Sequence, residues 1–378
     1  MSTTTAAYVQ ECGGGNPPSP AGRSAPGCRT APPPPHVAAA LRRVHGEVVD
    51  RFHGRGSPIP AALTGATVLD LGCGSGRDAY VLAQLTGPTG RVIGVDMAED
   101  QLEVARRHLG HHAERFGYAN VDFRNGYLED LSTAGIADGS VDVVVANRVV
   151  NLSPYKPRLF EEIFRVLRPG GELHFCEIFA DRRIPASLME DPELLGECLS
   201  GALYERDFRR LMARSGCADV RVIDRCPVPV SHPEIARKIG YVNFSALTVR
   251  AFKLPLEDGC EDYGQTAVYR GTLEGHPHAF DLDDRHRFAT GRPTPVCGNT
   301  ADMLGRTRFA AHFDVTGDKT VHRGAFAPCP SAAPDPGGAP GGGGGEPDGT
   351  GGAGSASGTD GSGGPDEATG PEGAEAPR

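Results

Sequence analysis

The sequence predicts an α/β fold, a doubly wound and mostly parallel sheet, with a small C-terminal α+β domain and disordered ends. Three observations predict it. Apolar runs of strand length alternate with helical patterns from residue 36 to about 256, and a glycine loop separates the first strand from the next helix. Both ends of the chain are Gly- and Pro-rich, and residues 331–378 are nearly all Gly, Ala, Pro, Ser, Asp and Glu.

Each element follows in order. Residues 1–35, with "GGGNPPSPAG" and "APPPP", cannot build a core and are expected to be disordered. "HVAAALRRVHGEVVDRF" carries Val37, Leu41, Val44, Val48 and Phe52 at helical spacing, so a single helix over this stretch should lay one face on the sheet. The buried strands are "TVLDLGC", "RVIGVDM", "VDFRNGY", "VDVVVANRVV" and "ELHFCEIFA". Helical patterns stand between them, of which "AEDQLEVARRHL" and "RLFEEIFRVL" are the clearest, the second closed by the turn signal "RPGG". "ADVRVIDRCPVPV" and "SALTVRAFKLP" read as two further strands at an edge of the sheet. A domain over 36–256 is therefore expected, then a small unit over 257–318 and a disordered acidic tail over 319–378.

The formal net charge of −10 reflects the tail, since residues 331–378 hold eight acidic residues against one arginine. The body offers no basic field for nucleic acid or an anionic membrane. No signal-peptide order and no apolar run long enough to span a bilayer are present, so a soluble, cytoplasmic protein is expected, acting as a monomer. Ten cysteines in 378 residues are too scattered for a disulfide scaffold, and most are expected as reduced thiols.

The chemistry begins at "VLDLGCGSGRD", residues 68–78. Gly72, Gly74 and Gly76 let the chain turn tightly and let a ligand approach main-chain N–H groups at a helix start. Asp70 precedes them, and Asp96 ends the next strand 26 residues on, where an acid can accept both ribose hydroxyls. A ligand with a charged amino-acid end and an adenosine end satisfies both positions, which points to S-adenosylmethionine (SAM) and a Rossmann-like, class I methyltransferase fold. Met97 and Gln101 follow in the next segment and join the candidate contacts. After the third strand Leu128 is a candidate wall and Glu129 a partner for the adenine amino group. Asn147 closes the fourth strand beside the same crevice, with Arg148 at its mouth.

Beyond these motifs the chain resembles the arsenite methyltransferases over residues 26 to about 316. The resemblance rests on "HGEVVDRFHGRG", "VLDLGCGSGRD", "VIGVDMAEDQLEVAR", "VVNLSPYKPRLFEEIFRVLRPGGELHF", "ADRR", "GECLSGALY" and "EDYGQTAVYRG", in that order, with "GECLSGALY" the most specific. It implies a SAM-dependent enzyme whose substrate is a trivalent arsenical held by thiolates, with glutathione or thioredoxin as reductant. Soft, three-coordinate As(III) prefers thiolate sulfur. Of the family's four cysteines, Cys28 and Cys198 are matched, whereas Arg55 and Arg148 stand where the other two would be. Cys176, near the end of the fifth strand, reads as a small core residue or as a third thiolate.

An arginine cannot ligate arsenic, but two of them can hold an anion in a bidentate fork. A methyltransferase for an anionic small molecule or a carboxylated organoarsenical is therefore a second reading. A non-catalytic SAM- or thiol-binding sensor is a third. His108 and His112 make an i, i+4 pair that could hold a metal. No third ligand stands at motif spacing, so a solvated helix face is the favoured reading and no metal is assigned.

Overall fold

The structure is a computed structural model that describes residues 32–54, 56–189, 191, 194, 199–230 and 233–327. They all lie in the first of two units into which the chain divides, Met1–Ala333. Cys28, Arg55 and Cys198 lie outside the described residues, as do 1–31 and 328–378.

Period-2 alternation builds the sheet. In β1 (Thr67–Leu71) Val68 faces one apolar cluster while Leu69 and Leu71 face the other, and in a later strand Val143 and Val145 alternate with Val144 and Ala146 in the same way. Both faces are thus covered, as a parallel sheet requires. The chain begins with α1 (Pro35–Leu41) and α2 (Gly46–Asp50), and after β1 runs through α3 (Arg77–Thr86), β2 (Arg91–Asp96), α4 (Glu99–Arg107), α5 (Leu109–Phe116) and β3 (Val121–Asn125). It continues with β4 (Val141–Asn147), α6 (Lys156–Val166), β5 (Leu167–Ala180), β6 (Leu203–Tyr204), α7 (Glu205–Arg214), β7 (Val220–Val228), α8 (Pro233–Ile239) and β8 (Phe244–Phe252). The sheet order is β3-β2-β1-β4-β5-β8-β7, with β6 paired to β5. β3 through β5 in that order are parallel, and β8 runs antiparallel to both β5 and β7.

α1 to α4 pack on one face and α6 and α7 on the other. Phe160 of α6 is fully buried there, a contribution of about 1.5–3 kcal/mol. No helix among the described residues is long and apolar enough to cross a membrane.

Two local readings differ from the sequence pattern. The expected single helix over 37–52 is two helices, because His45 takes an extended backbone (φ −63°, ψ 140°) and its side chain accepts from the Glu47 N–H as an N-cap. A cap followed by Gly46 overrides the apolar spacing. "RPGG" does not leave the sheet either: it lies within β5, where the register with β4 shifts between Val141 and Val143. Cysteine usage is also mixed. Cys73, Cys176, Cys217 and Cys297 are buried free thiols, whereas Cys226 and Cys260 are disulfide-bonded.

Beyond β8 the chain forms β9 (Gln265–Tyr269), β10 (Ala279–Asp281), β11 (Arg287–Ala289), β12 (Pro293–Val296), α9 (Gly298–Gly305) and β13 (Phe313–Thr316). β9 pairs antiparallel with β12 and β13, and β10 with β11, over an aromatic core that includes Phe280, Phe288, Phe309 and Phe313. A buried ion cluster joins this region to the sheet. Glu172 of β5 contacts Arg250 Nε of β8 at 3.0 Å and Arg308 at 2.5 Å. Arg308 Nε also donates to the Ala61 carbonyl at 3.0 Å. Burial opposes ionisation of Glu172, but the two guanidinium charges hold its carboxyl well below the usual range. Burial also pulls on the Arg308 guanidinium, yet arginine's basicity and the carboxylate in contact with it keep that pair charged.

Glu172→Ala leaves two buried cations without their counter-charge and is expected to cost about 3–5 kcal/mol in urea unfolding. Because the folded pKa is depressed, this contribution is present above the unfolded carboxylate pKa of about 4.3 and fades as pH falls below it. The wild type should therefore lose stability in acid faster than Glu172→Gln.

Candidate functional site

In a doubly wound sheet the binding crevice lies outside the carboxyl ends of the strands, where neighbouring crossovers leave to opposite faces. β1 sits between β2 and β4, and a cavity opens over the ends of all three. Asp70, Gly72, Cys73 and Gly74 line it from β1 and its loop, Asp96 and Met97 from β2, and Asn147, Arg148 and Val149 from β4. Gln101, Leu128 and Glu129 complete one side, and Phe52, His53 and Gly54 the other. Every described cofactor candidate lines this cavity except Gly76.

Gly76 has a different role. It precedes α3 at φ 87°, and a Cβ there would stand 2.6 Å from the Phe123 ring, so it serves helix–sheet packing. Gly72 turns at φ 67° with Val149 Cγ2 at 2.5 Å from a would-be Cβ, whereas Gly74, at φ 53°, faces open space. Asp96 fixes the loop by accepting from the Gly74 N–H at 2.8 Å and the Ala98 N–H at 2.9 Å.

Asp70 is 2% exposed, and its Oδ2 has no hydrogen-bond partner. Burial, then the charges of Asp78 and Asp96, push its carboxyl well above the usual range. Desolvation raises Asp96 too, against its backbone bonds. Gln101 Oε1 is a second buried acceptor without a partner on the same cavity. An unsatisfied buried acceptor costs about 1–3 kcal/mol, so this cavity calls for a ligand with cationic and hydroxyl donors. An ammonium and a ribose are such donors, and the residues present fit SAM. Cys73 stays a thiol, since burial and then the charges of Asp96 and Asp70 raise its pKa.

A second chain of contacts ties the walls together. Asn147 Nδ2 donates to Asp78 Oδ2 at 2.9 Å, and Asp78 Oδ1 accepts from Arg77 Nε at 2.9 Å. Arg77 also donates to the Gly56 carbonyl at 2.6 Å and lies over the Phe52 ring. Glu129 accepts from the Ser153 hydroxyl, which bridges the loops after β3 and β4.

Arg148 adopts a left-handed backbone, φ 59°. Its N–H donates to the Cys176 carbonyl at 3.0 Å and its Nη1 to the His53 carbonyl at 3.2 Å. Cys176 pairs with Asn147 in the β4–β5 register, is 4% exposed, and is not part of the cavity lining. Burial, then the Arg148 charge, lowers His53, which is neutral near pH 7. Beneath lies Glu177, buried and raised by that burial against bonds from the Asn151 and Ile178 N–H groups and the nearby Arg148 charge.

Sequence reasoning missed Asp78, Arg77, Phe52, His53 and Glu177. An acid in the first turn of a helix reads as a dipole partner, and only the fold brings Asp78 to Asn147. The apolar spacing puts Phe52 at the end of a long helix, which hides it. The "GRD" after the glycine loop was the signal available for the first pair.

A parallel sheet whose first two strands each end in an acid around a glycine turn is the scaffold of class I SAM-dependent methyltransferases, and this chain is one of them. Sequence models described as a methyltransferase domain and as the arsenite methyltransferase C-terminal domain match residues 63–216 and 263–335. The chain belongs to the arsenite methyltransferase family: it is 52% identical to the arsenite methyltransferase of Aquipseudomonas alcaligenes, covering 80% of this chain and 88% of that protein. It is 39% identical to the arsenite methyltransferase of Mus musculus, covering 75% of this chain and 76% of that one. The X-ray structure of an arsenic(III) S-adenosylmethionine methyltransferase from Chlamydomonas reinhardtii matches with a TM-score of 0.76 at 50% identity, over 78% of this chain and 99% of that one.

The raised carboxyls set a pH dependence. Protonation neutralises Asp70 and Asp96 at a higher pH than ordinary carboxylates, so SAM affinity should fall on acidification before the ordinary carboxylate range is reached. Calorimetric titration should show that fall in the wild type, and Asp70→Asn should bind about 100-fold more weakly with a flatter pH profile, the loss expected for one charged buried partner.

Proposed function

We propose that the chain transfers the methyl group of SAM to a trivalent arsenical, with a thiol such as glutathione or thioredoxin as reductant. SAM supplies an electrophilic sulfonium methyl, which an arsenic(III) lone pair accepts in line. The observation that carries the reading is 52% identity to an arsenite methyltransferase along four-fifths of the chain, joined to a cavity with two orphaned acceptors. The reading extends to arsenic detoxification in the cytoplasm.

Each residue then has a task. Asp70 pairs with the cofactor's ammonium, while Gly72 and Gly74 admit it to the backbone. Asp96 accepts from the ribose, with Gln101 and Met97 beside it. Leu128 and Glu129 receive the adenine. Asn147, held by Asp78, orients the methionine end. Phe52 and Val149 keep water from the reacting methyl, so positioning and desolvation do most of the catalysis. Cys28 and Cys198 offer the arsenical two thiolates, while Cys176, buried and absent from the cavity lining, fits its other reading as a small core residue.

A second reading is favoured by the placement of Arg148. Arg148 is among the residues that line the cavity, where a permanent cation suits an acceptor that bears a carboxylate. Arg55, the neighbour of Gly56, is its counterpart in a two-arginine clamp.

The test incubates purified protein with labelled SAM, a thiol and one of three acceptors: arsenite, methylarsonous acid or a carboxylated arsenical. Methylated product is expected from at least one. The double variant Arg55→Cys with Arg148→Cys should raise arsenite turnover at least tenfold. If the carboxylated arsenical is the substrate, Arg148→Ala should lower its turnover by a similar factor, about the worth of one charge-assisted contact. SAM binding with no product from any acceptor would support the sensor reading and overturn both.

A further inference from the structure

Two histidines and a glutamate that do not line the cavity converge beside α2. His45 and Glu47 come from the start of α2, and His108 from the junction of α4 and α5. One ligand atom from each lies within 4.8 Å of the others. His108 Nε2 is 2.7 Å from Glu47 Oε2, and the His45 and His108 rings stack with centroids 3.8 Å apart. His111 stands edge-on to His45 at 5.0 Å and is exposed.

The i, i+4 pair suggested by the sequence is not the relevant one. His112 is 1% exposed and stacks on Tyr80 at 3.5 Å. Its Nε2 accepts from the His45 N–H and its Nδ1 donates to the His108 carbonyl. Burial holds its pKa down to about 4. With both nitrogens used inside the fold, His112 becomes the post that brings His45 and His108 together. The third ligand missing from the helix is Glu47, which arrives from an element about 60 residues upstream.

We propose that His45, Glu47 and His108 form a binding site for a borderline divalent transition metal of the zinc class, with water or His111 as the fourth ligand. Two imidazoles and one carboxylate are a donor set that zinc-class ions take. Tetrahedral ligands at about 2.0–2.1 Å from such an ion stand about 3.3 Å apart. The ion competes with three contacts. His45 accepts from the Glu47 N–H at 3.2 Å, Glu47 Oε1 meets the exposed Arg107 at 2.9 Å, and His108 Nε2 meets Glu47 Oε2 at 2.7 Å. The first is a weak bond at a helix start where water can replace the cap. The third is replaced by coordination, the ion taking the place of the proton held between Glu47 Oε2 and His108 Nε2.

The position gives the ion a structural consequence. α2 holds the glycine loop through the bond from Ser75 Oγ to the Val48 carbonyl at 2.9 Å, and the chain after α2 supplies Phe52 and His53 to the cavity. A metal clipping α2 to the α4–α5 junction fixes one wall of that cavity against the sheet. The site does not depend on which acceptor is methylated.

The test is cobalt(II) titration of the full chain after alkylation of its thiols, which removes competing sulfur ligands. We expect one equivalent to bind with a visible ligand-field band and no sulfur charge-transfer band, and the melting temperature to rise by several degrees. His45→Ala, His108→Ala and Glu47→Gln should each weaken binding at least tenfold. His108→Asn, which keeps a donor toward Glu47, should do the same while SAM still binds. Uptake undiminished in both histidine variants would overturn the proposal, as would loss of cobalt binding only in variants that no longer bind SAM.

Discussion

A carboxylate removed from water needs either a cation or a proton, and at Asp70 burial and two neighbouring acids favour the proton until a cationic ligand arrives. The side chain sits at the end of β1, flanked by the acids Asp78 and Asp96 and reached by no donor at Oδ2. Asp78 is satisfied by Arg77 and Asn147, and Asp96 by the Gly74 and Ala98 amides. Those bonds leave one buried acceptor without a donor, and the glycine loop, the ends of β2 and β4 and the segment after α2 are arranged around it. The fold is stable with this defect because the rest of the sheet is buried on both faces.

Much of this was legible in the sequence because it depends on short-range pattern. The alternation through Val68, Leu69 and Leu71, the glycine loop and the acid at Asp96 all report local geometry. The break at His45 was hidden because a capping side chain competes with apolar spacing, and the spacing around Val44 and Val48 continues across it. Asp78 and Glu177 were hidden for another reason. Asn147 and Asn151, the partners that place them at the site, are distant in the chain, so nothing near Asp78 or Glu177 shows that the first holds Asn147 or that the second accepts from the turn after β4. The left-handed backbone at Arg148 was equally unreadable, since arginine carries no preference for it.

The C-terminal region is fastened by charge as much as by apolar contact. Glu172 meets two guanidiniums in one buried place, and Arg221 meets Asp219 and Asp283 in another, at 2.6 and 3.0 Å. Buried pairs of this sort add little net stability when intact but are costly to break. They favour one docking of the two regions over others of similar apolar area. That docking reaches the site through Ala61, whose carbonyl takes two bonds from Arg308 shortly after the segment that carries Phe52 and His53.

The backbone at position 148 has a consequence for how such an enzyme changes its chemistry. A left-handed residue other than glycine is strained by about 1–3 kcal/mol, and the strain comes from the Cβ rather than from what lies beyond it. Cysteine and arginine therefore bear the same penalty there and leave the turn after β4 unaltered. The strand end behaves as a socket of fixed shape: exchanging its occupant replaces a soft ligand with a fixed charge while the methyl-donor side keeps its geometry. An exchange there changes the charge and softness of the side chain without requiring the protein to fold anew.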